Sequence, residues 1–323
     1  MEASTSDAGE ALTVPAGELM KRPPPEPAEN GAPPKRSKKG KKKLKPGIPQ
    51  LTSADYVRVV PIPKKCELLV EGWRPVTLSK FDKAPQATLS VDQMAVTSSK
   101  GYRMARATHG AYQGTWYFEI TVTHLGETGH CRLGWSTGKG ELQAPVGYDQ
   151  HSFGYRDLEG SKVHRALREE YGNPYKEGDV VGCLLHMPAG GQSFEKDKSD
   201  IVSWKGALYF VDKPEPEPTD LKGSLVAFSL NGVSQGVAYR DFKEGTYYPA
   251  ASLYTLPDQK EGATVTFNFG PDFKHSPPEI EGCPAARPCC ELAGSPDDVN
   301  AQQPAALPPP PADALVPSTT AAE

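Results

Sequence analysis

A chain of 323 residues has room for one domain of ordinary to large size plus tails, and its 33 Pro and 31 Gly are too many for a compact helical protein. Residues 1–50 hold 10 basic and 6 acidic side chains and residues 276–323 hold 1 and 7, leaving 25 and 27 between, so the net charge of −4 is distributed as +4, −2 and −6. A near-neutral middle does not look like a nucleic-acid-binding fold, although the basic tail could add a sequence-independent contact.

The acidic start, Met1 to Glu10, lacks an apolar core, and no run approaches the roughly 18 apolar residues of a membrane helix, so neither secretion nor a membrane partner is expected. Residues 1–50 are rich in Pro, Ala, Glu and Lys with almost no aromatics, and they are expected to be a disordered tail because they cannot bury enough apolar surface to offset ordering. Within them Lys35, Arg36, Lys38, Lys39, Lys41, Lys42, Lys43 and Lys45 place eight cations in eleven positions, bounded by Pro33-Pro34 and Pro46. Such a run looks like a nuclear import signal and overlaps with a DNA- or RNA-contacting arm.

From about Leu51 short apolar or aromatic runs alternate with Gly, Pro, Asn and Asp, the rhythm of a β-sandwich or barrel. The clearest runs are Trp116 to Val122, Arg132 to Trp135, Val180 to His186, Ala207 to Val211, Leu225 to Leu230 and Thr264 to Phe269. In the last, Val265, Phe267 and Phe269 share one face and Thr264, Thr266 and Asn268 the other, the period of a half-buried strand. Asn231-Gly232 between Leu230 and Val233 predicts a tight hairpin, since this pair supplies both positive φ values of a type I′ turn. Residues 162–171, with Val163, Ala166 and Leu167 at helical spacing ahead of Gly172-Asn173-Pro174, predict a short surface helix or turn. Residues 187–200 and 212–222 read as exposed loops, and a Pro/Ala-rich acidic tail, residues 279–323, is expected to be disordered.

Motifs for chemistry are sparse. The six cysteines (Cys66, Cys131, Cys183, Cys283, Cys289, Cys290) show no zinc-type spacing and read as reduced thiols of an intracellular protein, Cys131 and Cys183 as small buried hydrophobes. Gly134 to Gly140 superficially resembles a phosphate loop, but its Gly-Lys falls one position early and Gly140 stands where Ser or Thr should bind magnesium. With no His-Glu-x-x-His and no Gly-x-Ser-x-Gly, catalysis, a metal and a cofactor are not expected, and His109 beside Gly110 reads as a polar hinge in a turn.

Residues 51–278 are therefore expected to form one all-β domain. With Gly114-Thr115-Trp116-Tyr117-Phe118-Glu119, Arg132-Leu133-Gly134-Trp135, Asn231-Gly232-Val233 through Tyr239 and Tyr248-Pro249-Ala250, it resembles a SPRY (B30.2-like) antiparallel β-sandwich. Gly101-Tyr102 through His109-Gly110, Leu142 through Asp149 and Asn268 through Lys274 further resemble the trithorax-group family of absent, small or homeotic discs two, Trauco in plants. The resemblance implies a non-catalytic core subunit of the nuclear complexes that methylate the fourth lysine of the histone-three tail. Its SPRY surface would grip an acidic segment of the WD-repeat, retinoblastoma-binding subunit, and the pair would activate the SET-domain methyltransferase. Carried over to matching positions, the gripping residues are Tyr102, Arg132, Pro145, Tyr148 and Arg156. Guanidinium forks suit carboxylates, and Tyr and Pro offer rigid contact at low entropic cost.

Three departures from the animal pattern stand out. Leu158 and Glu159 occupy positions where basic residues are expected, which weakens the hold on an acidic partner. No zinc finger or winged helix precedes the sandwich, so any DNA contact falls to residues 35–45. Beyond Pro278, where the family carries an amphipathic helix that docks a small Dumpy-type dimeric subunit, the chain is Pro-broken and Ala-rich, with Ala305-Ala306-Leu307 and Ala314-Leu315-Val316 as poor substitutes, so that docking is in doubt. The alternative reading is a nucleic-acid-binding chromatin protein acting through the basic run.

Overall fold

The computed structural model describes residues 12–15, 56–62, 67–70, 72–196, 198–204 and 206–294. The basic run at 35–45 and the apolar triplets at 305–307 and 314–316 lie outside them. The strands are Leu12–Pro15 (β1), Tyr56–Pro61 (β2), Leu78–Lys83 (β3), Thr88–Leu89 (β4), Ala95–Ser98 (β5), Arg103–Ala107 (β6) and Gly114–His124 (β7). There follow His130–Thr137 (β8), Ser152–Arg156 (β9), Lys162–His164 (β10), Leu167–Glu169 (β11), Val180–Met187 (β12), Ile201–Trp204 (β13) and Ala207–Val211 (β14). Leu225–Leu230 (β15), Val233–Arg240 (β16), Tyr247–Tyr254 (β17), Ala263–Asn268 (β18) and Arg287–Pro288 (β19) complete the set, and the described residues contain no α-helix.

Two antiparallel sheets face each other. One runs β11-β10-β9-β8-β17-β6-β3, the other β16-β15-β12-β7-β18-β5-β4, and a small sheet β1-β2-β14-β13 stands beside them. The core between the large sheets is aromatic: Phe118 meets Trp135 edge-to-face at 4.9 Å and stacks on Phe267 at 5.8 Å, and all three are buried. Each such ring contributes about 1.5–3 kcal/mol by leaving water; β7, β8 and β18 supply one each, the last from the alternating face predicted for it. Cys131 and Cys183 are fully buried in the same core. The predicted hairpin at Asn231-Gly232 is present, with φ of 49° and 81° and Leu230 paired to Val233. In β8, a Cβ on Gly134 (φ 155°) would lie 2.0 Å from the Phe153 carbonyl oxygen, so only glycine lets β9 come this close.

Three expectations change. Residues 162–171 form the β10–β11 hairpin rather than a helix, turning through Arg165 and Ala166 at φ 51° and 60°. Of the three apolar residues there only Val163 is buried, too little of a stripe to hold a helix against the ladder offered by β9. Leu12–Pro15, inside the tail expected to lack order, pairs with β2. The sandwich also continues past Pro278. β19 pairs in parallel with Trp116 and Tyr117 where β18 has ended, and Cys289 is fully buried. Ahead of it, Phe273, Ile280, Cys283 and Ala286 cover Tyr117 on the outer face of β7. Buried Glu119 fixes this strap by accepting from the backbone N–H groups of Lys274 (2.8 Å) and His275 (2.9 Å). Both faces of β7 are thus covered, which is why its run of apolar residues is nearly continuous.

Candidate partner-binding site

Arg132 and Arg156 are direct cross-strand partners on β8 and β9, and on its other side Arg132 pairs with Ser252 of β17. Their side chains share the outer face of the seven-stranded sheet, opposite the face that carries Leu133 and Trp135 into the core. Tyr102, just ahead of β6, lies beneath this pair: the Arg132 guanidinium carbon is 5.0 Å from its ring centroid, and Tyr254 packs against the ring at 5.1 Å. Arg132 thus rests on an aromatic face, which favours a cation.

Pro145 and Tyr148 come to the same face on a loop fastened at several points. The backbone N–H of Val146 donates to Ser252 Oγ at 2.9 Å, and Ser252 Oγ donates to the Arg132 carbonyl oxygen at 3.3 Å. Tyr148 N–H closes the turn onto the Pro145 carbonyl at 3.0 Å, and the β10–β11 turn donates from Ala166 to Gly147 and from Arg165 to Asp149. Tyr148 is thereby held 54% exposed, its ring standing out from an immobilised backbone. Arg132 thus meets Arg156 across the strand pair and Tyr102 through its ring, and the loop that carries Pro145 and Tyr148 is bonded to β17 beside them through Val146.

The electrostatics are unusual for buried charges. Arg132 and Arg156 are 6% and 9% exposed, and each leaves its Nε buried with no hydrogen-bond acceptor. No carboxylate pairs with Arg132 among the described residues, whereas Arg156 meets the exposed carboxylate of Glu159 at 3.3 Å. Burial pulls the Arg132 pKa below the ordinary guanidinium range; Tyr102 opposes this, and the like charges of Arg156 and Arg168 add to it. Burial raises the Tyr102 pKa, against the pull of Arg132. Uncompensated buried charge is costly, and an arriving carboxylate that supplies acceptors relieves that cost.

Sequence reasoning passed over several neighbours. Arg168 on β11 stands opposite Val163, on the outer face, and adds a third guanidinium. His130 at the start of β8 bonds to the buried Asp157 carboxylate at 2.7 Å, and Asp157 Oδ1 has no partner. Tyr254 completes the aromatic floor. Only strand pairing assembles these residues; the spacing of Arg156 and Arg168 across two hairpin turns is the one local sign. The phosphate-loop lookalike behaves in the opposite sense, since the carbonyls of Gly138 and Gly140 accept from Arg106 and so face a cation.

A sandwich of two antiparallel sheets with its polar face on β8 and β9 agrees with the family model of the SPRY domain, which matches residues 115–206. Over a longer stretch the chain is similar to proteins named as Ash2-type subunits. It is 39% identical over 228 residues to the "Set1/Ash2 histone methyltransferase complex subunit ASH2" of Drosophila melanogaster, covering 65% of this chain and 39% of that protein. It is 37% identical over 221 residues to the corresponding subunit ash-2 of Caenorhabditis elegans, covering 62% and 37%. To the "Set1 complex component ash2" of Schizosaccharomyces pombe it is 31% identical over 228 residues, covering 57% and 34%. The chain therefore spans little more than a third of the length of these relatives.

Proposed function

We propose that this chain is a non-catalytic scaffold and activator subunit of a nuclear histone lysine methyltransferase complex acting on the fourth lysine of the histone-three tail. Its SPRY surface binds an acidic segment of the WD-repeat, retinoblastoma-binding subunit, and the pair supports the SET-domain methyltransferase. The observation that carries this reading is the Arg132–Arg156 pair: two guanidiniums more than nine-tenths buried, with unpaired Nε atoms. The homologous proteins named as Set1/Ash2 complex subunits support it. Arg132 and Arg156 bind carboxylates, while Tyr102, Pro145 and Tyr148 provide rigid apolar contact.

Calorimetry of the full chain with the acidic segment tests it. Wild type binds; Arg132→Ala loses about 100-fold in affinity, the scale of truncating a buried charge contact, and Tyr148→Ala about tenfold, as for an aromatic anchor. Absence of binding by folded wild type, or unchanged affinity in both variants, would overturn the reading.

A further inference from the structure

At the end of β8 away from Arg132, the seven-stranded sheet and the small sheet enclose a cavity of about 930 Å3. Its walls include the rings of Phe81, Phe194, Phe210 and Tyr248. Most charges around it are already satisfied. Asp82 is held by Arg106 through two bonds of 2.7 and 2.6 Å, Glu67 pairs with Arg74, and Lys139 meets Glu215 at 2.5 Å. The Glu244 carboxylate accepts from the backbone of Gln192 and Thr219.

Glu195 differs. Its carboxylate lines the cavity and makes no hydrogen bond or ion pair among the described residues, its only bond being from its backbone N–H to Ser193. By accessible surface it is exposed, although the surrounding protein atoms still raise its pKa, with Asp82 adding to the effect and Arg106 and Lys139 opposing it. Close by, the Tyr248 hydroxyl is kept neutral by burial and by the charges of Glu195 and Asp82. The aromatic wall already accommodates one ammonium: Lys196 Nζ lies 5.5 Å from the Phe210 centroid and donates to the Val211 carbonyl at 3.2 Å.

We propose that this cavity receives a lysine side chain of a basic peptide, its ammonium held by the Glu195 carboxylate and the Tyr248 hydroxyl and its methylene stem lying on Phe81, Phe194 and Phe210. A carboxylate beside aromatic faces suits an ammonium on a hydrocarbon stem. The described residues bring no three metal-ligating side chains together, too few for a hard divalent cation. The exposed carboxylate of Glu217 at the rim meets a flanking cation, which favours a peptide over a small free amine. The site lies at the opposite end of β8 from the arginine face and stands independently of the function proposed for that face.

Fluorescence anisotropy of the full chain with a labelled peptide of alternating lysine and serine tests this, alongside the same peptide with every lysine acetylated. Wild type binds the first and not the second. Glu195→Gln weakens binding about tenfold, the loss of one charge-assisted contact, with an unchanged melting temperature; Tyr248→Phe weakens it less, and rim Glu217→Gln at most about twofold. No binding by wild type, equal binding of the acetylated peptide, full affinity in Glu195→Gln, or an equal loss in Glu217→Gln would each overturn the proposal.

Discussion

Arg106 and Arg132 stand on the same face of the same sheet, are 1% and 6% exposed, and are treated in opposite ways. Arg106 is saturated: Asp82 takes Nε and Nη2, Gly138 O takes Nη2, and Ser136 Oγ and Gly140 O take Nη1. Arg132 has an aromatic ring beneath it, no carboxylate among the described residues, and a buried Nε without an acceptor. A guanidinium whose bonds are all made within the chain ties loops to a sheet, whereas one left open stores the desolvation cost until a partner arrives. Burial alone does not tell a saturated arginine from an open one; the census of acceptors does.

The largest effect separating the two is on stability. Arg106→Ala strips Asp82 of its partner and leaves the Gly138 and Gly140 carbonyls without their donor, so denaturant unfolding should show a loss of about 3–5 kcal/mol, the scale of breaking a buried pair from one side. Arg132→Met keeps the hydrocarbon stem against Tyr102 and removes an uncompensated charge. Its unfolding free energy should hold or rise by about 1 kcal/mol, while affinity for an acidic segment collapses. Equal destabilisation by the two substitutions would erase the distinction.

Much of this frame was legible in the chain. The Asn231-Gly232 hairpin and the alternation of Val265, Phe267 and Phe269 depend on neighbours a few positions away, and both are present. The helix expected at 162–171 failed because spacing among three apolar residues could not register the ladder that β9 offers to Lys162 and Val163. The strap beyond Pro278 was invisible for a related reason: its anchor, Glu119, lies more than 150 positions upstream. At the site, family resemblance singled out five residues, of which the fold sets Arg132 against Arg156 and Tyr102 directly. Sequence could not show that Arg106 would be saturated and Arg132 open, nor that Arg168, His130 and Asp157 would gather round, because those facts live in strand pairing.

Acid should sharpen the contrast from another side. Burial lowers the pKa of His164, which stacks on Phe153 at 4.5 Å, and likewise of His109 and His151. Below about pH 6.5 the unfolded chain then binds more protons than the fold, so stability falls as pH drops through that range. Glu195, raised by the protein around it, works in the opposite sense at lower pH. The melting temperature should decline from pH 7 to pH 5.5, and His164→Gln should flatten the decline; a flat profile in the wild type would refute the assignment.

The smallest expected change is the most specific to the open arginines. Glu159 follows Arg156 at a turn where its own φ is 63°, and its carboxylate reaches Arg156 Nη1 at 3.3 Å while remaining 69% exposed. It therefore occupies, weakly, one arm of the site that an acidic partner would claim. Glu159→Gln removes the competing charge and keeps the side-chain volume. Because the carboxylate is well solvated, the pair is worth at most about 1 kcal/mol, so calorimetry should show acidic-segment affinity rising by roughly two- to fivefold. The melting temperature should stay nearly constant. A fall in affinity would mean that Glu159 positions Arg156 for its partner instead of competing with it, and the site would then be pre-arranged by an internal ion pair on one arginine and open only on the other.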